Sequence, residues 1–241
     1  MDKVISFIQP SRNNLKYLKW SYNSIRKNLG YRHEICWADD FSDDGTWEWM
    51  QEIADKDKNV RIIRNSGPDR LGHTILYDRL VELATNDIVM IYHADMYACP
   101  GMDEEVLKHL ERGKVVSATR IEPPLHPDGP EKILKDFGIE PEEFKEDKLL
   151  ELVDETQSGV GILYGPLALN RETTNGIFAP WAIYKDDFLA IGGHDPLYAP
   201  QSKEDSDIFN RFVLAGYDLI QTWKGLVYHM TCRGSRFKDG A

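Results

Sequence analysis

The chain has 241 residues, 41% of them hydrophobic and 29% charged, with 29 Lys and Arg against 40 Asp and Glu for a formal net charge of −11. That composition excludes collagen-like, low-complexity and wholly disordered chains, and its acidity argues against non-specific binding to nucleic acid or to an anionic membrane. Cys36, Cys99 and Cys232 are widely spaced and never form C-x-x-C, which fits a reducing cytoplasm and argues against a disulfide framework or a structural zinc site.

The first apolar run, residues 4–8 (VISFI), reads as a strand and ends at Pro10-Ser11, without the longer apolar stretch and cleavage site of a signal peptide. Leu15, Leu18, Tyr22, Ile25 and Leu29 then recur at helical spacing. The unit repeats. Residues 34–38 (EICWA) are β-prone, the turn from Asp39 to Gly45 is rich in capping residues, and residues 46–56 read as a helix through Trp47, Met50, Ile53 and Ala54. Residues 60–64 predict a third strand and 74–84 a third helix, with Leu76, Leu80 and Leu83 turned inward. Residues 87–92 (DIVMIY) predict a strand buried on both faces. Its aliphatic run Ile88-Val89-Met90-Ile91 is far shorter than the roughly 20 residues that cross a bilayer. Strands alternating with helices predict an α/β fold with a doubly wound, mostly parallel sheet, whose ligands lie beyond the carboxyl ends of the strands.

After Arg120 the alternation falters at Pro123-Pro124 and at residues 126–130 (HPDGP). Residues 131–155 carry four Lys against ten acids, which reads as a solvated helical insertion. Residues 159–175 are Gly-rich and aperiodic, as expected of a mobile loop near an active site. Regular structure returns at 177–184 and 188–193, a helix is expected over 204–215 with Ile208, Phe209, Phe212 and Val213 on one side, and a last strand over 225–229. The end is locally basic, with Lys224, Arg233, Arg236 and Lys238. No internal repeat and no long linker divides the chain, so one domain is expected, in three parts: residues 1–120, 121–176 and 177–241.

Three acidic clusters stand at strand ends or at a helix start: Asp39-Asp40, Asp95 and Glu204-Asp205. A doubly wound sheet gathers such positions at one rim, and converging carboxylates call for a hard divalent cation, which also binds phosphate oxygens.

The order of these pieces resembles the family 2 glycosyltransferases of the GT-A fold. VISFIQPSRNN is similar to the family's opening strand and turn, WADDFSDDGTWEWM to its Asp-Asp-Gly-Ser segment, and IYHADMYACPGM to the strand that ends in the metal-binding D-x-D. IFAPWAIYKDDFLAIGGHDP followed by SKEDSDIFNRFVLAGYDLI resembles the stretch carrying Gly-Gly-Phe-Asp and then the acidic base, and VYHMTCRGS the last strand with its metal-binding His. The resemblance covers most of the chain apart from about residues 122–176.

It implies a metal-dependent, inverting transfer of a sugar from a nucleoside-diphosphate donor, a UDP-sugar being favoured, to a hydroxyl of a glycan, protein or small-molecule acceptor, with Mn²⁺ or Mg²⁺ as cofactor. A nucleic-acid acceptor is disfavoured by the net charge. Carried over by position, Pro10, Ser11 and Arg12 would line the nucleotide site, Asp40 would accept from the base with Asp39 beside it, and Asp95 and His229 would hold the metal. His93 and Ala94 fall in the same donor-side turn, and Arg233 and Arg236 would neutralise the departing diphosphate. Asp205 would be the general base, preceded by Glu204. Trp181, Gly193, His194 and Asp195 would face the acceptor, with the alternative that Trp181 packs in the core.

Where the family has D-x-D, this chain has His93-Ala94-Asp95 followed by Met96, one carboxylate fewer. His93 is then a ligand, a donor to phosphate or a structural residue. Two other readings stand beside the transferase: a sugar nucleotidyltransferase, for which the loop after the first strand lacks glycine, and a family member that binds nucleotide or glycan without turnover.

Overall fold

A computed structural model describes residues 3–125, 129, 132–159, 178–200 and 203–230. Its first half follows the alternation of the sequence: β1 (Ile5–Ser11), α1 (Leu15–Asn28), β2 (Glu34–Asp40), α2 (Thr46–Lys56), β3 (Val60–Asn65), α3 (Gly72–Leu83) and β4 (Ile88–Ile91). β1 pairs in parallel with β2 and β4, and β2 with β3. All residues of β2 and β4 are buried, as the continuous apolar runs require of strands covered by helices on both faces.

Three further elements were not among those expected from the sequence: β5 (Met96–Ala98), α4 (Met102–His109) and β6 (Lys114–Glu122). The chain continues through β7 (Lys132–Leu134), α5 (Glu146–Ser158), β8 (Trp181–Tyr184), α6 (Lys185–Ala190), α7 (Glu204–Leu214) and β9 (Asp218–His229). One sheet has the order β3-β2-β1-β4-β8-β6-β9-β5, with β7 on β6. β8 is antiparallel to both β4 and β6, and β5 is antiparallel to β9, so β1, β2, β3, β4, β6, β7 and β9 all run one way. Their carboxyl ends share one rim, and the first residues of β8 reach the same rim from the opposite direction.

The acidic segment is not merely solvated. One face of α5 buries Leu149, Leu152, Val153 and Thr156. The aliphatic three pack with Tyr17, Tyr97, Phe137, Trp223 and Tyr228 in a second core, separate from the one under β1, β2 and β4. Polar pins fasten the edge: Tyr17 Oη donates to Glu140 at 2.6 Å and Lys27 Nζ to Glu146 at 2.8 Å, while Tyr97 Oη also donates to Glu146. The charges therefore mark only the outer face of an amphipathic helix. The expected mobile loop over residues 159–175 lies, beyond Gly159, outside the described residues. Among the described residues no helix is long and apolar enough to cross a membrane.

Candidate functional site

β4 ends at Ile91, and the turn that follows carries His93, Ala94 and Asp95. β5 then pairs with β9 so that Met96 stands opposite His229, and Met230 N–H donates to the Asp95 carbonyl at 3.1 Å. This pairing brings a histidine 134 positions further along the chain beside the turn. His229 Nε2 lies 3.3 Å from Asp95 Oδ1, and His93 Nδ1 lies 3.5 Å from His229 Nε2. One ligand atom from each of the three residues falls within 4.8 Å of the others, which fits a shared cation.

Two residues that sequence reasoning missed hold this cluster. Glu122, at the end of β6 and buried, lies 2.8 Å from His229 Nδ1. A carboxylate there accepts a hydrogen bond from Nδ1–H and leaves the Nε2 lone pair for a metal. Gln9, wholly buried in β1, donates from Nε2 to the His93 carbonyl at 3.1 Å and to Ser21 Oγ at 2.9 Å, while its Oε1 accepts from Trp37 Nε1 at 2.9 Å. The backbone of the ligand turn is thereby tied to the core.

Burial alone would push the His229 imidazole down, but Asp95 and Glu122 outweigh it and raise its pKa. Burial opposes ionisation of Glu122 as well, yet His229, Arg120 and Lys132 hold that carboxyl down to about 2. Burial first, and His229 next, push the His93 imidazole down to about 3, so at neutral pH it presents a neutral nitrogen. Replacing Glu122 by Gln is expected to weaken Mn²⁺ binding by roughly 10-fold or more, read by calorimetric titration. Unchanged affinity would remove Glu122 from the metal's support.

Asp205 occupies the first turn of α7, and Glu204 beside it meets His73, in the first turn of α3, at 2.6 Å. The helix N-terminus favours a carboxylate, but burial and then the Glu204 charge outweigh it and raise the Asp205 pKa. A raised carboxyl pKa is what proton abstraction uses. His73 and Arg120 each act electrostatically on both His93 and Asp205, so the metal cluster and the acid share one neighbourhood at the rim.

On the other side of the rim, Asp40 uses both carboxylate oxygens within the protein. Oδ1 accepts from Asn65 Nδ2 at 2.7 Å and from Leu71 N–H at 3.0 Å, and Oδ2 from Gly72 N–H at 2.9 Å. It caps the start of α3. Asp39 Oδ2 faces Arg64 at 3.3 Å, whereas its Oδ1 is buried with no hydrogen-bond partner among the described residues. Ser11, which stands opposite Asp39 in the β1–β2 ladder, also has a buried hydroxyl without a partner. The capacity that sequence reasoning assigned to Asp40 therefore resides in Asp39. Pro10 and Arg12 flank Ser11 and are half-buried.

The acceptor-side expectations fare differently. Trp181 is wholly buried, edge-on to Phe209 and Phe212, so it packs in the core and offers no face to a sugar. β8 lies between β4 and β6, which explains the burial. His194 is buried too; its Nδ1 lies 2.7 Å from Asp78 Oδ1 and its backbone N–H donates to Asp78 Oδ2 at 3.0 Å. Gly193 (φ 64°) turns the chain against that same carboxylate: a Cβ there would lie 2.3 Å from Asp78 Oδ2. The glycine serves the α3 contact, not an approaching acceptor. Gly193→Ala is expected to cost about 1–3 kcal/mol from the left-handed backbone alone, read as a fall in the denaturant midpoint; an unchanged midpoint would refute the close approach. Asp195 is exposed and caps a short 3-10 turn by accepting from Leu197 N–H at 2.8 Å. Arg233 and Arg236 lie outside the described residues.

The sequence matches the profile described as glycosyl transferase family 2 over residues 6–175. Among solved structures, GalNAc-T7 with UDP, GalNAc and Mn²⁺ superposes with a TM-score of 0.66 at 14% identity, covering 94% of this chain and 44% of that one. Mannosyltransferase PcManGT from Pyrobaculum calidifontis, in complex with GDP-Man and Mn²⁺, gives 0.62 at 16% identity over 95% of this chain and 57% of that one. TarS 1-349 from S. aureus gives 0.63 at 12% identity over 95% and 60%. At such identities the likeness is one of fold. The chain spans about half the length of the structures it matches.

Proposed function

The chain belongs to glycosyl transferase family 2, and from that premise we propose that it transfers a sugar from a nucleoside-diphosphate sugar to an acceptor hydroxyl, with a divalent cation held by His93, Asp95 and His229. The observation that carries this reading is the convergence of one ligand atom from each of those three residues within 4.8 Å of the others at the carboxyl rim of the sheet. GalNAc-T7 and PcManGT, which share the fold, hold UDP or GDP-Man together with Mn²⁺, which supports a nucleotide and a divalent cation as ligands here.

In this reading the nucleotide lies across the ends of β1 and β2, where Ser11 and Asp39 have hydrogen-bonding capacity to spare and Asp40 braces the α3 terminus. Asp39 Oδ1 accepts a base N–H, and uracil and guanine offer a ring N–H on the pairing edge where cytosine and adenine have an acceptor ring nitrogen beside an exocyclic amino group. A cation held by His93, Asp95 and His229 would supply positive charge to offset the negative charge developing on the diphosphate. Asp205 accepts the proton of the attacking hydroxyl, and His73 holds Glu204 in place beside it. A single displacement of this kind inverts the anomeric carbon. The acceptor is a glycan, a protein or a small molecule, and a UDP-sugar is the favoured donor.

Thermal unfolding with UDP, GDP, ADP and CDP, each with and without Mn²⁺, tests the reading. A nucleotide at about 100 times its Kd adds about 2.7 kcal/mol, and UDP or GDP with Mn²⁺ is expected to raise Tm accordingly. A Tm unmoved by every nucleotide would overturn the proposed function and leave the fold alone standing.

A further inference from the structure

The transferase reading names Asp205 as the base without saying what places it. We propose that Asp78 and His194 are positioning residues for Asp205: their pairing docks the segment that leads into α7 onto α3, the helix that Asp40 caps on the nucleotide side. The inference rests on the proposed role of Asp205 and adds the residues that set its position.

Between α6 and α7 the described residues are 191–200 and 203. Apart from the short 3-10 turn Pro196–Tyr198 they form no regular structure, so their course depends on side-chain ties. Several of those ties run to one face of α3, where His73 and Tyr77, and Thr74 and Asp78, are i,i+4 pairs. His194 is tied through both ring and backbone: Nδ1 lies 2.7 Å from Asp78 Oδ1, and its N–H lies 3.2 Å from Oδ1 and 3.0 Å from Oδ2. Further on, the Pro200 backbone lies so close to α3 that a Cβ on Gly72 would come within 2.0 Å of its carbonyl oxygen. Thr74 Oγ1 donates to the same oxygen at 3.4 Å. Glu204, next to Asp205, ends the series on His73 at 2.6 Å.

Packing alone does not account for a histidine at position 194. Its side chain is 1% exposed, edge-on to Phe188 and tilted against Tyr77 and Trp181. Phenylalanine, which the resembled Gly-Gly-Phe-Asp pattern has there, would fill such a space without burying a polar atom. Histidine buries two ring nitrogens, and Nε2 has no hydrogen-bond partner among the described residues. An unpaired buried nitrogen is a cost, and the ring's return for it is the Nδ1 bond to Asp78. Two donors from one residue on one carboxylate fix ring and backbone together. His194 and His73 both act electrostatically on Asp205, so the acid lies within reach of the two histidines that fasten the segment.

Position matters more to a base than to a packing residue. Proton abstraction requires the carboxylate within hydrogen-bond reach of the attacking oxygen, and a misplacement of about 1 Å costs roughly 100-fold in rate. α3 is a mount shared with the donor side, because Asp40 accepts from Leu71 N–H and Gly72 N–H at its start. Asp78 is half-buried and turns both oxygens to His194, so it acts through the segment and not on the substrate.

UDP release from UDP-glucose, UDP-galactose and UDP-GlcNAc with Mn²⁺, water serving as acceptor, tests the proposal without knowledge of the natural acceptor. Asp78→Ala is expected to lower kcat ~10-fold or more while KM for the donor and Kd for UDP stay within ~2-fold of wild type. Asp78→Asn keeps an oxygen in reach of both His194 donors and is expected to hold kcat within ~3-fold of wild type. In an Asp205→Asn background, Asp78→Ala is expected to lower the remaining rate by less than ~2-fold, because a residue that acts through the base has nothing left to place. An equal fall in both backgrounds would overturn the proposal, as would an Asp78→Ala rate within ~5-fold of wild type or an Asp78→Asn rate as low as that of Asp78→Ala. If Asp78→Ala does not fold, judged by its Tm, His194→Phe takes its place, since it keeps the ring and removes the Nδ1 donor. A wild type that releases UDP from none of the three donors would overturn the base role and this inference with it. Stabilisation by UDP with Mn²⁺ in the same sample would then show that the donor site stands, which separates that failure from failure of the transferase reading.

Discussion

Asp205→Asn is expected to lower the rate of sugar transfer by ~10³-fold while leaving nucleotide and Mn²⁺ binding within ~2-fold of wild type. The substitution keeps the shape of the side chain in the first turn of α7 and removes its capacity to accept a proton. A merely structural role would move stability and leave the rate alone. Burial and the neighbouring Glu204 raise the Asp205 pKa, so the carboxylate is a stronger base than an exposed Asp and loses more when neutralised. Glu204 stands 2.6 Å from His73 and is mostly buried, a position suited to orienting its neighbour rather than meeting an acceptor. Steady-state transfer from UDP-sugars, with nucleotide affinity measured in parallel, decides the matter. A variant rate within ~5-fold of wild type would remove Asp205 from proton transfer.

The first half of the sheet was legible because each element there is set by its own local pattern. VISFI, EICWA and DIVMIY are mostly apolar and β-prone, and the intervening segments alternate at helical spacing. Those signals survive in β1, β2, β4, α1, α2 and α3 with boundaries shifted by up to three residues. The motif order also marked Asp95, His229 and Asp205, which the fold brings to one rim.

What escaped the sequence depends on contacts between distant residues. Whether Trp181 stacks on a ligand or fills the core turns on β8 being inserted between β4 and β6, a topological fact that no window of residues encodes. Glu122 and His229 are separated by 107 positions, Asp78 and His194 by 116, and Gln9 and His93 by 84. Each pair is a polar contact whose members look ordinary in isolation. Asp39 and Asp40 are adjacent and chemically alike, and only the approach of the α3 terminus decides which of them is consumed internally. The charge of residues 131–155 misled for a related reason: net charge counts both faces of α5, whereas burial is decided by Leu149, Leu152 and Val153 on one.

Asp95→Ala is expected to abolish the Mn²⁺-dependent part of stabilisation by UDP or GDP. Under conditions where the wild type gains about 2.7 kcal/mol from nucleotide with metal, the variant should gain no more than the nucleotide gives alone. Asp95 is the single carboxylate of the cluster, and burial alone would favour its neutral form; His229, first by its charge and then by its hydrogen bond, reverses that and lowers its pKa. Removing it leaves two imidazoles, one neutral and one held toward Glu122, with no anionic ligand to offset the charge of an incoming cation. The consequence reaches the nucleotide because a diphosphate and a bare protein rim made of His93, Glu122 and Asp205 gain little from one another without an ion between them. The backbone of the turn keeps its tie to β9: the Asp95 group bonded to Met230 is its backbone carbonyl, at 3.1 Å, and alanine retains it. A variant still stabilised by Mn²⁺ and UDP to the wild-type extent would place the ion elsewhere and dissolve the link between the cluster and the donor.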